Sequence, residues 1–308
     1  MFPYMMKSII LLTILTQVLV FSSCSSCNNS SKNFDIPDSI LNTEDQPMEV
    51  SDATIDNIVQ NIASPVEMAA LIKSIGVPYS KQYLASTDNV ENYASSFTKA
   101  LNLGIYGADL GYINMYNKSG AVLDYITAIK SLADDINIGQ FFDFQTLKRL
   151  ASNSSNLDSL MYISVHSFNK MDDYLRKNKR ANLSALMIAG VWVEGLYLGT
   201  QVVKANPSEK LVQTIGEQKT ILNQLMLLLE IYKKDKFIAD LIKEYKILKH
   251  EFDNVKITIE VGEPESVIKD GRLTIIQNEK SIVHMSDEQL KVIINQAEAV
   301  RNRVISWK

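Results

Sequence analysis

The chain has 308 residues, 46% of them hydrophobic and 21% charged, with 31 Lys plus Arg against 35 Asp plus Glu and two cysteines. These proportions describe one or two globular domains and exclude a disordered, collagenous or disulfide-built protein. The formal charge of -4 also excludes a nucleic-acid binder that gathers phosphates on a basic surface.

The N-terminus carries an address. Lys7 precedes an apolar run, Ser8 to Phe21 (SIILLTILTQVLVF), broken only by Ser, Thr and Gln. A membrane-spanning helix needs about 20 apolar residues. This shorter run predicts a signal peptide over residues 1–23. Ser22 and Ser23 stand directly before Cys24, a pattern similar to a bacterial lipobox, with Phe21 in place of the usual leucine. A cysteine suits that place because its sulfur carries a diacylglycerol and its freed amine a third chain. Each buried methylene adds about 0.8 kcal/mol of membrane affinity. The alternative is a secreted protein with a Cys24–Cys27 disulfide, but no later cysteine builds a framework for such a bridge. Cys27 is otherwise an alternative acylation site. Residues 24–50 read as a tether, with Lys32 against Asp35, Asp38, Glu44, Asp45 and Glu49, extended by self-repulsion. Ser25 rather than Asp follows the cysteine, which by resemblance to lipoprotein sorting implies the outer membrane and leaves the leaflet open.

Residues 51–308 read as one helical domain with a small strand insert. Ser64-Pro65-Val66-Glu67 combines an N-cap serine, a proline at the first helical position and a glutamate three residues after the cap, and Gly76 and Pro78 end that helix. Further helices are expected over Val90–Tyr116, Ala121–Ile138 closed by Gly139, Phe144–Ser152, Leu157–Lys177, Ala181–Ala205, Ser208–Tyr232 and Lys236–Phe252. Long helices joined by short links pack antiparallel to their neighbours. The period then changes. Val255–Val261 (VKITIEV) alternates as a half-exposed strand, and Leu273–Ile276 and Ser281–His284 add short strands around a turn at Asp270-Gly271. Ser286 to Gln289 is a capping box that opens a last helix running to Ile305. The expected class is all-α, an antiparallel multi-helix bundle with a β-hairpin-like insert before the C-terminal helix.

Several polar residues stand where such helices should be dry. Apolar residues surround the axis of Ala181–Ala205, which makes that helix central, and Glu194 in its middle needs a partner. Counting from the turn at Asn206-Pro207 puts Lys219 of the next helix at the same level, about 18 Å along either helix. Gly104, Gly107 and Gly111 form a glycine groove that implies close approach by a helix or an aromatic ring. Asp109, Tyr112 and Tyr116 share a face, with Tyr106 one turn before. They form either a site for a polar ligand or a buried structural network. A ligand pocket, if the bundle has one, is expected to be lined by Tyr106, Asp109, Tyr112, Trp192, Glu194 and Tyr197.

Catalytic and metal signatures fail in turn. His166, His250 and His284 show no HExxH or HxxxH spacing, no mature cysteine pattern joins them, and no G-x-S-x-G elbow occurs. The basic cluster Arg176, Lys177, Lys179 and Arg180 reads as a solvated helix end. No metal, cofactor or catalytic residue is expected. Close approach of Asp109 and Glu194 in one cleft would be the sign of a hydrolase.

The chain resembles a group of uncharacterised all-helical lipoproteins of the Bacteroidota. The resemblance rests on Leu101–Tyr112 (LNLGIYGADLGY), Ile138–Phe144 (IGQFFDF), Trp192–Leu198 (WVEGLYL) and Ile215–Lys219 (IGEQK). It implies an envelope compartment and no particular activity. The expected function is a membrane-anchored helical binding or scaffold module for envelope proteins, or else a small-molecule sensor or carrier.

Overall fold

A computed structural model describes residues 65–308 apart from 117, 152–156, 264, 270, 271 and 277. The signal peptide, Cys24, the tether and the Ser64 cap lie outside these residues. The described part is the all-α bundle with a small antiparallel β insert that the periodicity predicts.

Nine α-helices occur among the described residues: α1 (Pro65–Ser74), α2 (Ser96–Met115), α3 (Ser119–Asp135), α4 (Phe144–Ala151), α5 (Leu157–Lys177), α6 (Ala181–Ala205), α7 (Glu209–Ile231), α8 (Lys236–Asp253) and α9 (Asp287–Ile305). Two expected boundaries move. Residues 90–95 do not join α2. Thr87–Asn92 is a separate 3-10 turn, and Ser95 starts α2 through a reciprocal capping box with Thr98. At the end of α3, Asn137 takes the left-handed conformation at φ 56°, and the Ile138 N–H donates to Ala133 O at 2.8 Å. Asn137 thus does what was expected of Gly139, because asparagine tolerates that region well. Lys179 takes the same role after α5 at φ 59°, with the Arg180 N–H donating to Leu175 O. Its basic neighbours pair within the helix, Arg176 with Asp172 and Lys177 with Asp173.

The insert is a nested ribbon. The outer strands β1 (Lys256–Val261) and β4 (Glu279–His284) pair antiparallel, and β2 (Glu265–Lys269) pairs antiparallel with β3 (Arg272–Ile276); the turn expected at Asp270-Gly271 lies outside the described residues. β2 is an addition to the expected strands; its sequence ESVIK is too short for alternation to announce it.

Helix α6 is the centre of the bundle. It is long and apolar enough to cross a membrane by length and composition, yet it is buried almost end to end within the protein. Its most extensive partner is α2. A Cβ on Gly104 would overlap the Met187 carbonyl oxygen, and one on Gly190 would overlap the Leu101 carbonyl oxygen. The two backbones are therefore in direct contact, which only glycine at both positions permits. The crossing at residues 101–105 and 187–191, followed by Asp109 beside Glu194, means that α2 and α6 run in the same direction. The consecutive helices α6 and α7 are antiparallel, with Trp192 bonded to Gln218 across their turn.

Candidate functional site

The residue face predicted on α2 is real, and it grips backbone. The irregular segment 77–86 runs along α2 and leaves peptide groups that no helix or strand satisfies. Tyr116 Oη donates to Val77 O at 2.7 Å, and the Ser80 N–H donates to Tyr112 Oη at 3.0 Å. The Ala85 N–H donates to Asp109 Oδ2 at 3.0 Å, and Tyr106 Oη donates to Ser86 O at 2.8 Å. Tyr125 of α3 adds a bond to Ala85 O. Buried backbone groups need such partners. Burial pushes the phenols of Tyr106, Tyr112 and Tyr125 well above their usual range, so each stays a neutral hydroxyl. Tyr106, Asp109, Tyr112 and Tyr116 are thus each bonded to the backbone of segment 77–86.

Glu194 has its partner, but not Lys219. Arg301 of α9 binds it through two parallel bonds, Nε to Oε2 and Nη2 to Oε1, both 2.8 Å. Glu194 is 0% and Arg301 7% exposed. The Arg301 guanidinium also lies over the Tyr197 ring, 4.4 Å from its centroid, a favourable cation–π geometry. Burial works against the Arg301 charge, but attraction and hydrogen bonding to Glu194 outweigh it and move its pKa upward. Lys219 instead donates to the carbonyls of Asp253 and Val255, where α8 hands over to β1. The level expected for Lys219 is right, since Trp192 meets Gln218 there. The rotational phase differs, because Gln218 occupies the α6–α7 seam and its neighbour Lys219 is turned away from it.

Asp109, 0% exposed, joins this pair. Burial first, then the Glu194 charge, push its carboxyl well above the usual carboxylate range, against the pull of Arg301 and the Ala85 N–H. A neutral Asp109 can donate to Glu194, and Oδ1, which has no hydrogen-bond partner, is the oxygen available to carry that proton. Two carboxyls and one guanidinium then balance as a neutral group.

The sign of the linkage follows from the raised pKa. The folded state holds a proton that the unfolded chain releases above the ordinary aspartate range, so Asp109 lowers stability as pH rises toward its folded pKa. Asp109→Asn, which keeps an acceptor for Ala85 and a donor for Glu194, is therefore expected to be more stable than wild type at pH 7. The difference should vanish below about pH 4. Urea denaturation at a series of pH values checks this, and an Asn variant less stable at pH 7 would contradict a neutral Asp109.

The carboxyl pair is thus close, and both side chains are fully buried. A cavity among the described residues lies elsewhere. It has a volume of about 1410 Å³ and opens between α1, α2, α5, α6, α7 and the β1–β4 ribbon. Met68, Leu71, Phe168, Met187, Ile221 and Ile257 give it apolar walls. Of the six residues expected to line a pocket, Trp192 alone does so, with its Nε1 donating to Gln218 Oε1 at 3.0 Å. Tyr106, Asp109, Tyr112, Glu194 and Tyr197 belong to the buried network behind α2 and α6. Those positions are polar because they satisfy internal backbone and charge, and sequence cannot separate this from facing a ligand.

The glycine groove divides between the two regions. Gly104 seats the α6 backbone, Gly107 takes the Phe168 ring, and Gly111 lines the cavity. Across from it, Gly195 of α6 also lines the cavity, and a Cβ there would meet no atom within 4 Å. Two residues central to this picture went unread in the sequence. Arg301 stands on the apolar stripe Ile294, Ala297, Val304, where a charge calls for a buried partner. Asn114 follows Gly107 and Gly111 at helical spacing and shares their face.

None of the histidines lines the cavity, and no group of three or more His, Cys, Asp or Glu able to hold a metal occurs among the described residues. The fold and cavity together define a helical bundle with an apolar side chamber. Comparison with protein-family models, curated proteins and solved structures finds no match.

Proposed function

We propose that the protein is a lipid-anchored envelope protein whose helical body binds an apolar ligand in the side cavity and carries out no reaction of its own. The cavity of about 1410 Å³ carries this reading. Ligand sites are concave, largely apolar chambers of roughly 300–1,000 Å³, and interiors otherwise pack with few voids larger than a water. The anchor at Cys24 and the outer-membrane address come from the sequence alone and complete the proposal.

Gly195 supplies the test. Leucine there has open space to fill and removes a mid-helix glycine that costs up to about 1 kcal/mol relative to alanine. Gly195→Leu is expected to weaken binding of the apolar fluorophore N-phenyl-1-naphthylamine at least tenfold while its thermal midpoint stays level or rises. A wild-type protein that does not bind the fluorophore at all would refute the reading.

The second reading, docking of another envelope protein, draws on Ile259 and Val261, large apolar side chains exposed on β1. Cross-linking of the intact envelope protein tests it.

A further inference from the structure

The β1–β4 ribbon has two outer edges, and the described residues close one of them. The Gly262 N–H donates to Asn278 O, one step beyond the last pair of the ladder, so Gly262, Glu260, Thr258 and Lys256 turn their backbone groups toward β4. Ile257, Ile259 and Val261 therefore turn theirs outward, as do Val283 and Ser281 opposite them on β4. On β4 the side chain of Gln213 takes the place of a further strand: its Oε1 accepts from the Val283 N–H at 3.0 Å, and its Nε2 donates to Ser281 O at 2.9 Å. On β1, Lys219 covers the carbonyl of Val255 at 2.8 Å. Beyond it the outward N–H and C=O groups of Ile257, Ile259 and Val261 have no hydrogen-bond partner among the described residues. Ile259 is 46% and Val261 67% exposed. An open edge with apolar side chains is a ready template for another strand.

We propose that the open edge of β1 pairs antiparallel with the same edge of a second copy of this chain, about a two-fold axis through Thr258, so that the two ribbons join as one sheet in the order β4, β1, β1, β4. Charge selects this partner. In the register centred on Thr258, Lys256 stands opposite Glu260 of the second copy and Glu260 opposite its Lys256, with Thr258 facing Thr258 between them. Opposite charges and Thr–Thr pairs both favour strand pairing. On the other face Ile257 meets Ile259, and the outward backbone groups of these two residues satisfy one another across the axis. Neighbouring registers lose this match. A shift of two residues brings Lys256 opposite Gly262 or Thr258, and a shift of four brings Glu260 against Glu260 or Lys256 against Lys256. A strand from another protein would need a base and an acid at the same spacing, which the second copy already carries. The two-fold closes the assembly, and Gln213 at each outer edge ends the sheet there. The pairing does not depend on the cavity or on its occupant.

The test is disulfide cross-linking of the full-length protein in intact cells, in a Cys27→Ser background that serves as the blank. Residues directly opposite in a non-hydrogen-bonded antiparallel pair have Cα atoms about 4.5 Å apart, within reach of a disulfide. Thr258→Cys is therefore expected to give a product of twice the mass on mild oxidation. Lys280→Cys, exposed on β4, should not, because the two β4 strands would stand about 14 Å apart at about 4.8 Å per strand. Lys256→Glu and Glu260→Lys, each added to Thr258→Cys, put like charges opposite one another on both sides of the axis. Each alone should lower the yield about tenfold. Co-expression of these two variants restores opposite charges between unlike copies and should recover the product, which a loss of folding in either variant would not allow. Absence of product from Thr258→Cys would overturn the proposal, as would equal product from Lys280→Cys, unchanged yield in both charge variants, or no recovery on co-expression. A cross-link from Thr258→Cys to a different protein in place of the second copy would overturn it in favour of heterologous docking.

Discussion

Arg301→Met is expected to destabilise the bundle by about 3–5 kcal/mol, the range for removing one partner of a buried ion pair. The size follows from what is left behind. Glu194 would lose both hydrogen bonds from the guanidinium, in a site with no solvent access and with Asp109 against it. Tyr197 would lose the cation over its ring at the same time. Methionine keeps much of the apolar stem, so the loss reports charge and hydrogen bonding more than volume. The double variant Arg301→Met with Glu194→Leu should recover most of the deficit, because apolar side chains of similar size often replace buried pairs at little cost. Urea denaturation of the three variants closes a double-mutant cycle. A single-variant loss below about 1 kcal/mol would show that Glu194 finds another partner.

Cys24→Ser is expected to abolish acylation, and with it the stable association with lipid. One acyl chain gives only marginal, reversible binding, while two or more anchor durably at about 0.8 kcal/mol per methylene. Incorporation of labelled fatty acid should fall to background, the intact mass should lack the acyl increment, and cleavage before residue 24 should stop. A chain started at Ser25 should remain in the supernatant when sedimented with lipid vesicles. Unchanged label, mass and sedimentation would remove the anchor from the proposed function.

Cys24 and Arg301 are set by very different spans of chain. Cys24 is a local signal, an apolar run followed by small residues and a cysteine, read directly from a few consecutive positions. Arg301 and Glu194 are 107 residues apart, and no local pattern joins them. The sequence states only that Glu194 interrupts an apolar helix and needs a partner. The count along α6 and α7 suggested Lys219, and its level is correct because rise per residue is fixed. Phase is another matter, since a neighbouring residue points about 100° away around the axis.

The candidate pocket divides in the same way. That Tyr106, Asp109, Tyr112 and Tyr116 share a face follows from helical spacing, and the structure keeps them on one face. Whether that face meets a ligand or a backbone depends on where segment 77–86 lies. The glycine spacing announced close approach, and Gly104 and Gly107 have it. It could not announce that Gly111 and Gly195 border empty space, because a missing side chain looks the same in sequence whether the gap is filled or left open.

By itself, then, the sequence determined the helices, most of their ends, the strand insert, the need of Glu194 for a partner and the expectation of a lipid anchor, all properties of period, capping and composition within a few turns of chain. Tertiary structure alone decided that α2 and α6 run parallel in backbone contact, that Arg301 is the partner, and that the chamber opens beside Asn114 rather than among the tyrosines. These depend on the rotation and position of helices far apart in the chain, which are set by the packing of all their faces together.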